Sequence, residues 1–326
     1  MQSEIPCPPY DEELGRTLTN LNLPVIMTPE SIPAIRARAS LDVKGILSRH
    51  PVSHEERAIQ TPGSDITLSI FRSTTSTSSS QSRPGILWMH GGGFFSGNRF
   101  GGITNLLGFV EDLDAVVISV EYRLAPENPD PAPIADCYAA LVWTGAHLAE
   151  LAIDPVKLMV AGSSAGAGLA AGVALYARDH GGPAICAQLL QCPMLDDRLE
   201  TLSSHQYTRD GTFTRGSAEM AWGALLGERR GLENVSIYAA PSRATELKGL
   251  PPACIEVGSA EVFRDENVAY ASLLWASGVQ AELHVWPGAF HRFQAFAPNA
   301  KVSVAADSAR EAWVRRVFSN DGCSGP

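Results

Sequence analysis

Six short, nearly continuous apolar runs, separated by longer helical patterns, constrain this chain more than any other feature. Gly85-Ile86-Leu87-Trp88-Met89-His90 is the first, followed by residues 115–122, 157–161, 187–192, 253–258 and 281–286. A strand with one wet face alternates apolar and polar residues. A run that is apolar throughout is buried on both faces, as in a parallel sheet covered by helices. Helical patterns fill the spaces at 134–151, 165–179, 265–277 and 302–318. Strand-helix alternation of this length makes βαβ units with right-handed crossovers. At 326 residues there is room for one large α/β domain or two ordinary ones.

The sharpest local signal lies at the third run. Val160-Ala161-Gly162-Ser163-Ser164-Ala165-Gly166 passes from strand-forming residues through a Gly-x-Ser-x-Gly turn into an Ala-rich helical pattern. Such a corner strains its apex residue, and small residues on either side let neighbouring backbone pass. The Ser164 hydroxyl is lifted out of the sheet with a helix N-terminus behind it.

A serine nucleophile needs a base, an acid to orient that base, and donors for the oxyanion. His90-Gly91-Gly92-Gly93 directly follows the first strand, and its glycines leave backbone N–H groups free to face a carbonyl oxygen. The N–H of Ala165, just after the nucleophile, is the second donor. His90 reads as a residue pinning this loop rather than as the base. Among eight histidines, His291 sits in the turn-rich Pro287-Gly288-Ala289-Phe290-His291-Arg292-Phe293, just after the last strand. His284 lies inside that strand, and His50, His54, His147, His180 and His205 have no matching context. The acid comes from Gly258-Ser259-Ala260-Glu261-Val262-Phe263-Arg264-Asp265-Glu266, where Glu261, Asp265 and Glu266 compete. Glu261 stands just past the strand end. Asp265 reads as the N-cap of the next helix, with Glu266 in its first turn.

Two regions break the alternation: residues 1 to about 55, mixed and helix-leaning, and about 196–248, which carries no clean strand. Both fit a cap over the carboxyl edge of the sheet, where open α/β sheets bind ligands. Residues 73–82 form a low-complexity polar stretch, read as a loop between two early strands.

Taken together, the chain resembles the hormone-sensitive-lipase branch of the α/β-hydrolase esterases over roughly residues 84–295. The resemblance rests on His90-Gly91-Gly92-Gly93-Phe94, Glu121-Tyr122-Arg123-Leu124-Ala125-Pro126-Glu127, Gly162-Ser163-Ser164-Ala165-Gly166, Leu250-Pro251-Pro252 and Phe263-Arg264-Asp265-Glu266. It implies a single α/β-hydrolase domain over 1–326. Its central, mostly parallel eight-stranded sheet is flanked by helices, and a helical cap comes from about 1–50 and about 196–248. It implies Ser164 as nucleophile, His291 as base, and the N–H groups of Gly91, Gly92 and Ala165 as the oxyanion hole. Glu261 occupies the position of the family's usual acid Asp, and Asp265 matches a later family Asp. Three further positions depart from the family pattern: Ser163 replaces an Asp, and Ala167-Gly168 replace Gly-Asn.

The implied activity is hydrolysis of small-molecule carboxylic esters of short to medium acyl chain. An acyltransferase, or a lactone or amide hydrolase of secondary metabolism, would share the same triad. A ligand receptor on this fold is a third reading, against which His291 argues, because receptors resembling this family lack that histidine. The family often dimerises through its last strand, so a homodimer is a possible assembly.

Composition narrows the remaining classes. A formal net charge of −10 argues against nucleic-acid or acidic-membrane partners. Six cysteines (Cys7, Cys137, Cys186, Cys192, Cys254, Cys323) show no C-x-x-C spacing, and four lie in apolar patterns where buried thiols are expected. Histidines and cysteines show no metal-ligand spacing, so neither metal nor cofactor is expected. No apolar run reaches membrane-spanning length. The polar, Pro-containing start has no signal-peptide pattern, and Ser324-Gly325-Pro326 matches no retention signal, so a cytoplasmic setting is expected.

Overall fold

The computed structural model describes residues 5–21, 27–38, 41–61, 63–76 and 82–319. Met1 to Glu4, residues 77–81 of the polar stretch, Cys323 and the Ser324-Gly325-Pro326 end lie outside them. Eight strands form one sheet: β1 (Val52–Thr61), β2 (Ser64–Ser73), β3 (Arg83–Met89), β4 (Val116–Val120), β5 (Ile153–Ser163), β6 (Ala187–Gln191), β7 (Ala253–Gly258) and β8 (Ala281–Trp286). Their order is β1-β2-β4-β3-β5-β6-β7-β8. β2 runs antiparallel to both of its neighbours, β1 and β4, and every other pairing is parallel. This is the α/β-hydrolase sheet.

The apolar runs become its centre. Every residue of β4, β6 and β7 is buried, as burial on both faces requires. The helices Ala132–Ala146 and Ala165–His180 pack in one large core with Leu87, Val116, Val120 and Leu190. Thr104–Asp112 and Lys301–Ser319 cover the other face around Trp88, Ala161 and Cys254.

Several sequence boundaries shift. The pattern at 134–151 is two helices, Ala132–Ala146 and Leu148–Leu151, with His147 between them at φ −117°. Residues 1–55 do not stay helical throughout: after the helices Glu12–Asn20, Ile32–Arg38 and Val43–Leu47, β1 starts at Val52. Its sequence, Val-Ser-His-Glu-Glu-Arg-Ala-Ile-Gln-Thr, is mostly polar because it is an edge strand with little burial. Among the described residues no strand occurs between β6 and β7, where the helices Leu202–Gln206 and Arg215–Leu226 lie.

Candidate active site

Parallel pairing puts the predicted residues at one edge of the sheet. Met89 pairs with Gly162, Ser163 with Gln191, Gln191 with Glu256, and Gly258 with Trp286. The chain therefore leaves β3, β5, β6, β7 and β8 side by side, and Gly91, Ser164, Cys192, Glu261 and His291 all follow within a few residues.

Ser164 is the apex of the corner. Its backbone adopts φ 56°, ψ −122°, a region that costs a non-glycine residue roughly 1–3 kcal/mol. Surrounding bonds hold it there: its N–H donates to Gln191 O at 2.8 Å, and its carbonyl accepts from the N–H groups of Ala167 and Gly168 at 3.0 and 3.1 Å. Gly166 is required because a Cβ there would lie 2.2 Å from Met89 O and 2.3 Å from His90 O. One departure from the family pattern has a similar cause. A Cβ at Gly168 would meet Met194 O at 2.1 Å, so this backbone has no room for the family's Asn.

The Ser164 Oγ stands 2.9 Å from His291 Nε2, and His291 Nδ1 stands 2.5 Å from Glu261 Oε2. The other Glu261 oxygen, Oε1, accepts from the Gly258 N–H at 3.0 Å, which fixes the carboxylate plane. All three side chains are buried. Burial pulls the His291 imidazolium down, but the Cys192 sulfur and the Glu261 carboxylate push harder the other way and raise it above 6.5. Chemically, the ring can take a proton from Ser164 while the carboxylate stabilises the cation formed.

The rival carboxylates are engaged elsewhere. Asp265 is not an N-cap. The helix runs Arg264–Ala276 with Phe263 at its cap, and Asp265 Oδ2 accepts from the Ser203 N–H at 2.7 Å. Its other oxygen accepts from Arg264 Nε at 2.7 Å. Glu266 Oε1 accepts from Leu195 N–H at 2.7 Å, and burial raises its pKa well above the usual carboxylate range.

Gly91 and Ala165 flank the serine. A Cβ on Gly91 would stand 3.4 Å from Ser164 Cβ, and Ala165 opens the following helix. Among the described residues, the N–H groups of Gly91, Gly92 and Ala165 have no protein acceptor. The Gly92 carbonyl, by contrast, is tied to Ser96 N–H at 2.9 Å. His90 braces this loop: its Nδ1–H donates to Gly91 O at 2.8 Å and its ring stacks on Tyr122 at 4.2 Å. Burial lowers its pKa to about 4, so the ring is neutral.

Other motif residues prove to be struts, and this bracing was not readable from sequence. Glu121 Oε2 accepts from Arg99 N–H and Nη1, and Arg36 donates to Phe95 O, Ala125 O and Glu127. Gln188 bonds both Pro251 O and Pro252 O at the entry to β7. Aromatic rings crowd this cluster: Phe213 and Phe263 lie 5.4 and 5.2 Å from the His291 ring, and Trp222 lies 5.1 Å from Phe94. The N-terminal segment also reaches the site, since Asp11 N–H donates to Gly288 O and Tyr10 meets Phe290 edge-on. Sequence reasoning missed Cys192, which lies within 4.8 Å of the Glu261 and His291 ligand atoms. Its only sequence signal is its place directly after β6.

Comparison with known proteins identifies the family. A family model described as alpha/beta hydrolase fold matches residues 86–295. Esterase LipI of Mycobacterium tuberculosis is 37% identical over 244 residues, covering 73% of this chain and 75% of the relative. Carboxylesterase NlhH of the same species is 37% identical over 219 residues, covering 66% of this chain and 67% of the relative. Among solved structures, a bacterial heroin esterase superposes with TM-score 0.87 at 37% identity, covering 95% and 98% of the two chains. Esterase LipW from Mycobacterium marinum gives TM-score 0.86 at 30% identity, covering 96% and 99%. No helix among the described residues is long and apolar enough to cross a membrane.

Proposed function

The chain belongs to the α/β-hydrolase fold family and is a carboxylic-ester hydrolase, and we propose that Ser164, His291 and Glu261 carry its reaction. The observation that supports this most is the buried, hydrogen-bonded line from Ser164 Oγ through His291 to Glu261, at 2.9 and 2.5 Å. Ser164 attacks the ester carbonyl as His291 Nε2 takes its proton. The N–H groups of Gly91, Gly92 and Ala165 receive the oxyanion, each donor contributing about 3–4 kcal/mol to the barrier reduction. His291 then protonates the leaving alkoxide, and water repeats the attack on the acyl-enzyme.

We assign the cap to about 1–50 and about 196–248, because Tyr10, Phe213 and Trp222 all come from these segments and stand over the catalytic loops. With aromatic walls this near His291, small esters of short to medium acyl chain fit best. Buried thiols outside any disulfide at Cys137, Cys192 and Cys254 suit a reducing, cytoplasmic setting. β8 ends the sheet order and offers an unpaired edge for a homodimer.

The test is a fluorophosphonate probe with mass mapping, beside p-nitrophenyl ester turnover across acyl lengths. Stoichiometric labelling at Ser164 is expected, and Ser164→Ala lowers kcat by up to roughly 10⁶-fold. Labelling at another residue, or full activity in Ser164→Ala, sinks the assignment.

A further inference from the structure

The sequence has no local metal-ligand spacing, yet the fold assembles a cation's donor set at the site. One sulfur, one ring nitrogen and one carboxylate oxygen, from Cys192, His291 and Glu261, lie within 4.8 Å of one another and are all buried. They come from three loops far apart in sequence, after β6, β8 and β7. We propose that Cys192, Glu261 and His291 form an inhibitory site for a thiophilic divalent cation of the zinc class. The inhibitory half rests on the reading of His291 as the base.

Thiolate, imidazole and carboxylate together are zinc ligands, whereas magnesium and calcium require oxygen. Zinc bonds of about 2.3 Å to sulfur and about 2.1 Å to nitrogen place tetrahedral donors about 3.6 Å apart. The 2.5 Å His291–Glu261 pair must open to that spacing, and since all three donors already lie within 4.8 Å of one another, no pair has to close by more than about 1.2 Å. Charge favours the complex. A dication with one thiolate, one carboxylate and a neutral imidazole has no net charge to bury. Binding releases one proton to solvent, from the thiol or from the imidazolium paired with its thiolate, and changes no oxidation state.

A fourth ligand has a place to come from. Cys192 and Glu261 also line a cavity of about 20 Å³, enough for one water. Gln191, itself buried, borders the same cavity, and among the described residues its Nε2 has no protein partner. A cation-bound water there would accept that amide's hydrogen. Inhibition follows from which ring nitrogen is used. Nδ1 faces Glu261, so ligation there leaves the ring proton on Nε2, pointing at Ser164 Oγ. That tautomer cannot take the serine proton.

Cadmium and zinc test this on the full chain. Cadmium titration reads thiolate-to-cadmium charge-transfer absorption. Zinc titration reads ester hydrolysis, each protein normalised to its own metal-free rate. Wild type should show a tight cadmium phase missing from Cys192→Ser, with Cys192→Ala as the second variant if the first does not fold. Zinc should inhibit wild type reversibly to chelator, and its half-inhibitory concentration should rise more than about tenfold in the Cys192 variants. An unchanged cadmium phase or unchanged zinc sensitivity in those variants overturns the site. Tight cadmium binding without inhibition overturns the inhibitory role. Ser164→Ala separates the two readings, because it should keep the cadmium phase. If it also keeps esterase activity, the catalytic assignment fails while the cation site stands.

Discussion

Replacing Glu261 by Gln tests the orientation of the base most directly. The carboxylate accepts two hydrogen bonds at once, from His291 Nδ1 at 2.5 Å and from Gly258 N–H at 3.0 Å. A glutamine has one acceptor and one donor group. Giving its oxygen to Gly258 turns its NH₂ toward His291 Nδ1, which must then accept. The ring proton moves to Nε2 and faces Ser164, so the serine proton has nowhere to go. The opposite rotamer keeps the right tautomer but sets the NH₂ against the buried Gly258 N–H, a cost of about 1–3 kcal/mol. The productive rotamer is thus about 5–150-fold disfavoured. The cation formed on His291 also loses its buried counter-charge. Together these effects predict a fall in kcat/KM of roughly 10³–10⁴-fold, equivalent to about 4–5 kcal/mol of barrier. The assay is p-nitrophenyl ester turnover, with circular dichroism to show that the variant is folded. A folded Glu261→Gln enzyme within about tenfold of wild type would show that the 2.5 Å contact does not orient the base.

Three further outcomes follow from charges in and behind the site. Because Cys192 and Glu261 raise His291 above 6.5, the acid limb of kcat/KM should lie on the alkaline side of that value and move down in Glu261→Gln. Stability runs the other way: what the charged His291 contributes is fully present below pH 6.5 and lost as pH rises through the raised pKa, which denaturant titration across pH can check. Arg310 and Glu256 form a buried ion pair at 3.0 Å behind β7. Arg310→Ala strands the carboxylate and should cost about 3–5 kcal/mol in chemical denaturation, and a well-packed Arg310→Met/Glu256→Leu pair should recover most of it. A single variant with wild-type stability would refute that reasoning.

The buried strands were legible because burial on both faces writes itself as continuous apolar sequence: the runs at 187–192 and 253–258 match β6 and β7 to within a residue. The edge hairpin was not legible, since β1 has too little buried face to impose an apolar pattern. The Gly-x-Ser-x-Gly corner and the late histidine loop are local features, so Ser164 and His291 could be picked out from their own neighbourhoods. The acid could not be settled that way, because Glu261, Asp265 and Glu266 share one loop and one helix start. Only the tertiary structure separates them: Ser203 claims Asp265, Leu195 claims Glu266, and Glu261 is left facing His291. Cys192 is the extreme case. Its sequence neighbours give it no role, and its nearness to Glu261 and His291 exists only because parallel strands end in register. Sequence thus determined which buried strands form and where the sharp corner falls. Packing alone decided which distant side chains share the same few ångströms, because loop ends meet through sheet order and not through spacing along the chain.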